Sequence, residues 1–197
     1  MRSGISTGMP TKTEQGDLAR ALFGRPSDSH VIVLAPSTAA DCFWMSIEAV
    51  RLATKYMTPV VVLSEAFLIN SSEPWKIPDL KKIPKMKSPF RKKVDGYLPY
   101  KRNKETLARD WVKVGTKGLE HTIGGLEKLN ETGDVTQDAE NHDLMTRLRA
   151  EKVQKVANDI PDLEIIGDKG ADLLLVGWGS TLAVSYTHLR AHETPEH

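Results

Sequence analysis

Val31-Ile32-Val33-Leu34-Ala35, followed by Pro36-Ser37-Thr38 and, past Pro59, by Val60-Val61-Val62-Leu63-Ser64, is the part of the chain that decides the fold. Each apolar run is short and continuous, as in a strand buried in a parallel sheet. Between the runs, Thr38 and Asp41 are spaced like a capping box with Asp in the place of Glu, which starts a helix. The pattern carries that helix to about Tyr56, with Phe43, Ile47, Val50 and Tyr56 near one face and Glu48, Arg51 and Lys55 mostly elsewhere. Cys42 falls within it and is expected to pack as a small apolar residue. Strand, helix, strand in this order is the layout of a right-handed βαβ unit. The fold class expected is therefore α/β with a parallel sheet. In such sheets ligands bind outside the carboxyl ends of the strands, which directs attention to the loops near Pro36–Thr38 and Ser64–Asn70.

Upstream, Thr13–Phe23 suits a short helix ended by Gly24 and Pro26. Before it comes Arg2-Ser3-Gly4-Ile5-Ser6-Thr7-Gly8-Met9-Pro10-Thr11-Lys12-Thr13, rich in hydroxyls, with two cations and two glycines and almost nothing apolar. A guanidinium fork matches a carboxylate, hydroxyls turn to suit, and glycine lets the backbone approach closely. That chemistry fits a loop that holds an anion. On composition alone it fits equally a polar terminus with simple helix caps.

At 197 residues the chain has room for one ordinary domain or parts of two. A formal net charge of +1 gives no sign of nucleic acid as a partner. A single cysteine excludes a disulfide within the chain and a cluster held by its own cysteines. No apolar run approaches the roughly 20 residues that span a bilayer, and no signal-peptide layout is present. A cytoplasmic protein without membrane contact is expected.

From about Ser71 to Gly133 the character changes. Pro74, Pro78, Pro84, Pro89 and Pro99 interrupt any long helix or central strand, and Lys76–Lys93 is a basic stretch. An extended linker is expected. Asp138–Asn158 then reads as an amphipathic helix, with Leu144, Leu148 and Val156 on one face, Met145 and Val153 flanking it, and Arg147, Lys152 and Lys155 outward. Leu163–Ile166 and Asp172–Thr181 follow. The latter reads as a buried strand that ends in the Gly177-Trp178-Gly179-Ser180 turn. Residues 185–197 have no sustained apolar face and resemble a translated sequencing-adapter read-through, so the native sequence is expected to stop near Val184 and His192 and His197 to form no metal site.

Several of these strings resemble one family in the order in which they occur. Arg2–Leu18, RSGISTGMPTKTEQGDL, resembles the loop-helix signature of the alpha subunit of 2-oxoacid:ferredoxin oxidoreductases, above all the 2-oxoglutarate type, although that family usually has Pro in the place of Ile5. Ser72–Pro78, Gly118–Glu127 (GLEHTIGGLE), Glu140-Asn141-His142 and Asp172–Thr181 resemble later segments of the same subunits. On that resemblance His121 and His142 are structural or interface residues, not a zinc pair.

The resemblance implies an enzyme that uses thiamine diphosphate, whose ylide carbon adds to a 2-oxo acid. Carbon dioxide leaves, electrons pass through an iron–sulfur cluster to ferredoxin, and coenzyme A takes the acyl group. Arg2 and Thr11 match residues that bind the 2-oxo acid, and Ser6, Thr7 and Lys12 are supporting members. The Mg²⁺ of the diphosphate and the cluster would belong to the beta subunit. A YPITP-type motif and the glutamate that activates thiamine lie, in the family, upstream of the opening loop. The resemblance thus makes residues 1–72 the C-terminal part of a thiamine pyrimidine-type domain and 73–137 a linker. It makes 138–184 the start of a second, transketolase C-terminal-like α/β domain and 185–197 a non-native tail. Such a piece would be inactive alone. A pyruvate- or branched-chain-specific relative, a non-catalytic anion-binding α/β module and a basic interaction protein acting through Lys76–Lys93 are the alternatives.

Overall fold

The structure is a computed structural model that describes residues 16–25, 28–83, 85–86, 90–168, 170–182 and 184–185. At its centre lie two parallel strands, β1 (Ile32–Leu34) and β2 (Val60–Val62), in the register Ile32↔Val60, Val33↔Val61, Leu34↔Val62. The ladder extends one bond at each end, through Ile32 N–H to Pro59 O and Leu63 N–H to Leu34 O. The connection between the strands is α2 (Ala39–Tyr56), so the βαβ reading of the sequence is the observed architecture. Helix α1 (Gly16–Phe23) precedes the unit, and the short α3 (Ala66–Asn70) occupies what the sequence suggested was loop.

Thr38 caps α2, its Oγ1 accepting the Asp41 N–H at 3.1 Å. The Asp41 carboxylate does not close the reciprocal half of a capping box. Being one methylene shorter than Glu, it reaches Ser37 instead, accepting its N–H at 2.9 Å and its hydroxyl at 3.2 Å. The helix ends at Met57, which takes a left-handed conformation at φ 46°.

The core gathers Ile32, Leu52, Tyr56 and Val156, with Leu34, Val60 and Val153 packed against them. One expectation about α2, that Val50 lies on its buried face, is corrected here. Leu52 is 0% exposed and is the helix's central contact, whereas Val50 is 50% exposed. The sheet below α2 is narrow, and the end of the next long helix also presses on it, so the buried stripe is rotated toward Leu52 and Tyr56.

That helix, α4 (Ala139–Gln154), is capped by Asp138, whose side chain accepts the Glu140 N–H, and passes into a 3₁₀ turn over Lys155–Asp159. Met145 and Val156 are buried. Lys152 does not point outward as its helical position suggested. It is half-buried and its Nζ donates to Met57 O at 3.1 Å, because α4 lies across the C-terminus of α2, where free carbonyls collect. Lys155 is likewise turned onto protein, donating to Lys104 O at 3.0 Å.

Among its described residues the proline-rich connector between α3 and α4 has no long helix or strand, yet it is closely tied. Isolated bridges join Phe90 to Trp111, Tyr100 to Glu131, Arg102 to Arg109 and Lys128 to Val135. Trp111 Nε1 donates to Thr54 O at 2.8 Å and so docks the connector on α2. Asn141, buried at the start of α4, accepts the Asn130 N–H and donates to Lys128 O. The Gly118–Glu127 and Glu140–His142 strings also meet in space, through His142 Nδ1 and Glu127 Oε2 at 2.7 Å.

The buried strand expected within Asp172–Thr181 is not formed. The stretch forms no strand among the described residues, and Leu173, Leu174, Leu175 and Val176 are all exposed, Val176 by 90%. An apolar run becomes a strand only when neighbours supply its hydrogen bonds. No helix among the described residues is long and apolar enough to cross a membrane.

Candidate functional site at the carboxyl end of the sheet

Three stretches distant in sequence converge beyond the carboxyl ends of β1 and β2. The turn after β1 brings Ser37 and Thr38. The segment after β2 brings Glu65, α3 and Glu73. The Gly177–Ser180 turn closes on them, with Ser180 N–H donating to Glu65 Oε1 at 2.6 Å. Gly179 sits at φ +65°, and a Cβ there would stand 3.3 Å from Glu65 Oε1, so both conformation and space favour glycine. Glu73 Oε1 accepts the Ala40 N–H in the first turn of α2. Phe43 and Trp75 pack at 5.4 Å between centroids on the same side.

A helix N-terminus over a parallel sheet is a common anion site, since its first N–H groups lack helical partners. Here three of the N–H groups at its start are taken. Ala40 N–H goes to Glu73, Asp41 N–H to the Thr38 hydroxyl and Cys42 N–H to Thr38 O. Cys42 Sγ lies 3.5 Å from Thr38 O, half-buried and directed at the helix's own backbone. The arrangement clamps three segments together.

A larger space opens on the other flank of α2, a cavity of about 980 Å³ between that helix and the connector. Trp44, Met45, Met86 and Trp111 give it an apolar lining. At one wall Arg51 joins Glu48 at 2.5 Å and Asp159 at 2.8 Å, and Lys55 reaches Asp159 at 2.8 Å. The hydrogen bond to Glu48 is the largest influence on Arg51 and, with Asp159, raises its pKa although burial opposes this. These cations are already paired and are not poised for chemistry.

His121 and His142, the histidines singled out in the sequence, are both engaged. His121 Nε2 accepts from Arg109 Nη1 at 3.2 Å, so its proton sits on Nδ1, within reach of Leu119 O at 3.0 Å and Tyr97 Oη at 2.9 Å. Among the described residues no group of three or more His, Cys, Asp and Glu side chains could hold a metal ion. Arg2, Ser6, Thr7, Thr11 and Lys12, the residues expected to bind substrate, lie outside the described residues, as do His192 and His197. The carboxylates of Glu65 and Glu73 were not singled out from the sequence, since a lone Glu in a polar segment carries no signal of its backbone partner.

Comparison with known proteins completes the picture. Residues 1–141 match the family model described as "Pyruvate flavodoxin/ferredoxin oxidoreductase, thiamine diP-bdg". The chain belongs to this family. Within it, the 2-oxoglutarate oxidoreductase subunit KorA of Mycobacterium tuberculosis is 52% identical over 181 residues, covering 91% of this chain and 27% of that protein. The 2-oxoglutarate synthase subunit KorA of Archaeoglobus fulgidus is 31% identical over 195 residues, covering 98% of this chain and 48% of that one. The fold is shared with a solved 2-oxoglutarate:ferredoxin oxidoreductase from Magnetococcus marinus, at a TM-score of 0.85 and 33% identity over 98% of this chain and 34% of that chain. The chain thus spans between about a quarter and a half of the length of these relatives.

The family description names thiamine diphosphate, and the donors at the described end of the sheet do not fit its diphosphate. Among the described residues the carboxylates of Glu65 and Glu73 stand at that end, where they would repel it, and the N–H groups of Ala40, Asp41 and Cys42 already have partners.

Proposed function

We propose that this chain forms part of the alpha subunit of a 2-oxoacid:ferredoxin oxidoreductase of the 2-oxoglutarate type, which oxidatively decarboxylates a 2-oxo acid to its acyl-CoA and passes the electrons to ferredoxin. The observation that carries this reading is the 52% identity to a 2-oxoglutarate oxidoreductase subunit over 91% of the chain. The activity is that of an assembly, in which a beta subunit would hold Mg²⁺, the diphosphate of thiamine and the iron–sulfur cluster. The carboxylate-lined end of the described sheet is consistent with a diphosphate held elsewhere. When bound, thiamine diphosphate supplies the carbon nucleophile and the electron sink for decarboxylation. The cytoplasm is the proposed location.

This chain's own part is to hold the substrate. The Arg2 guanidinium would fork onto a carboxylate of the 2-oxo acid, and the Thr11 hydroxyl would donate to the same ligand. Ser6, Thr7 and Lys12 would supply further donors. Fixing the carboxylate in this way places the keto carbon for attack, which is catalysis by position.

The test is a chimera in which residues 2–181 replace the matching segment of the Mycobacterium tuberculosis relative, co-expressed with that protein's beta subunit. Ferredoxin reduction that depends on 2-oxoglutarate and coenzyme A is expected. Arg2→Ala should raise KM for 2-oxoglutarate about 100-fold, the loss of a charged hydrogen bond, and Thr11→Val about 10-fold. The family description names pyruvate, so a pyruvate-specific enzyme is the second reading. It would show as the reverse order of substrates.

A further inference from the structure

Two apolar surfaces stand open among the described residues, one concave and one projecting. The concave one is the cavity of about 980 Å³ on the flank of α2, with Trp44, Met45, Met86 and Trp111 in its lining. Charged groups on its walls are engaged with one another or with a neighbour. Arg51 holds Glu48 and Asp159, Lys55 holds Asp159, and Asp110 pairs with Arg91 at 2.7 Å. Walls of this kind suit aliphatic side chains, and the two thioethers adapt to their shape.

The projecting surface begins at the wall of the same cavity. Ile160 and Pro161 line it, and the chain then continues into an arm at 162–177. The arm is anchored before and after, by Asp159 on Arg51 and Lys55 and by the Ser180 N–H on Glu65. Between the anchors its hydrogen bonds are local. Ala171 N–H donates to Asp168 O at 3.3 Å and Gly170 N–H to Asp168 Oδ1 at 3.1 Å, a β-turn that separates two apolar runs. Leu163, Ile165 and Ile166 on one side of the turn, and Leu173, Leu174, Leu175 and Val176 on the other, are each more than half exposed. Together they offer roughly 800 Å² of apolar surface, the share that one partner brings to a stable interface. Monomeric proteins seldom leave that much apolar surface uncovered in one segment.

We infer that the chain pairs with a second copy of itself by exchanging arms, the leucines and isoleucines of each arm seating in the cavity of the other copy. A projecting aliphatic surface and an apolar hollow on one chain are complementary between two chains. Because the arm departs from the wall of its own cavity, a two-fold exchange brings each arm to the other's cavity and closes at a dimer. The pairing rests on neither the opening loop nor the proposed oxidoreductase activity.

The experiment is sedimentation velocity of the full chain from about 1 to 100 μM, where a monomer–dimer equilibrium is expected. Ile165→Lys and Val176→Lys should each raise the dissociation constant at least about tenfold, since each would bury an unpaired ammonium. Val114→Lys, at a valine 93% exposed outside the arm, should leave it unchanged. All three positions are exposed, so the variants should keep the helical circular dichroism of the parent. A benzophenone amino acid placed at Ile165, in a mixture of unlabelled and ¹⁵N-labelled copies, then reports the seat. Cross-links from one copy to the α2 or Trp111 peptide of the other are expected. A chain that stays monomeric at the highest concentration, or association untouched by Ile165→Lys and Val176→Lys, would overturn the inference. So would assemblies that grow beyond the dimer, and cross-links that stay within one copy or join arm to arm.

Discussion

Arg51 of α2 and Asp159, at the end of the turn that follows α4, form an ion pair of 2.8 Å across 108 positions of sequence. Arg51 also donates to the Asp159 carbonyl at 3.4 Å, and Lys55 reaches the second carboxylate oxygen. One carboxylate thus ties the two long helices beside the core residues Tyr56 and Val156. Asp159→Asn should lower stability by roughly 1–2 kcal/mol, the loss of a half-buried charged pair, with the more exposed Lys55 contributing little. Burial would raise the Asp159 pKa, but the hydrogen bonds from Lys55 and Arg51 outweigh it and hold the carboxyl below its ordinary value. A depressed carboxyl stabilises the fold above its unfolded pKa of about 3.8, and that contribution is lost as pH falls through the lower folded value. Urea midpoints measured from pH 6 down to pH 3 should therefore fall less steeply in Asp159→Asn than in the parent.

Lys152 shows the opposite sign. Its folded pKa of about 8 lies below the ordinary 10.5, so the unfolded chain binds the proton more tightly between those values. Stability should rise as pH goes from 8 to 10, and the full penalty of a charged Lys152 applies below 8. A shift of that size corresponds to roughly 3 kcal/mol. Lys152→Met should recover about half of it at pH 7, since Met57 O loses its donor, and should flatten the rise above pH 8. Denaturant midpoints at pH 7 and pH 9.5 check both points.

Trp111 holds the connector on α2 through its bond to Thr54 O, with Phe90 at its edge at 6.5 Å. Trp111→Phe keeps the ring contact and removes the donor. It should cost about 1 kcal/mol and speed proteolysis of the connector while leaving the helical circular dichroism unchanged.

The Thr38 cap tests the βαβ unit itself. Thr38→Ala removes the acceptor for the Asp41 N–H and should cost about 1 kcal/mol, and Thr38→Ser should restore most of it. Equal stability of Thr38→Ala and the parent would mean that the cap does not hold the start of α2.

The βαβ unit was legible because its signals are local. Two short apolar runs, a Thr three residues before an Asp and a helix of the right length need no knowledge of distant partners. Leu52 was missed because the buried side of α2 is set by β1, β2 and α4 together, not by periodicity alone. Lys152 was misplaced for a related reason, since its partner, the carbonyl of Met57, lies 95 positions away. The connector read as an extended linker because bridges such as Arg102↔Arg109 have no repeating pattern. The apolar Leu173–Val176 run was read as a buried strand although burial depends on neighbours that a run cannot encode. Of the site, the chemistry of Arg2 and Thr11 was legible as anion-holding, but their roles rest on family resemblance, and both lie outside the described residues.

The most direct test of the central claim is the substrate preference of the chimera that carries residues 2–181. The specificity ratio is kcat/KM for 2-oxoglutarate over kcat/KM for pyruvate, read from ferredoxin reduction. A ratio above about 10 is expected, since a second carboxylate bound by a fixed cation is worth at least that factor. A folded, assembled chimera that reduces ferredoxin with neither substrate, or that prefers pyruvate, would contradict the assignment to the 2-oxoglutarate type.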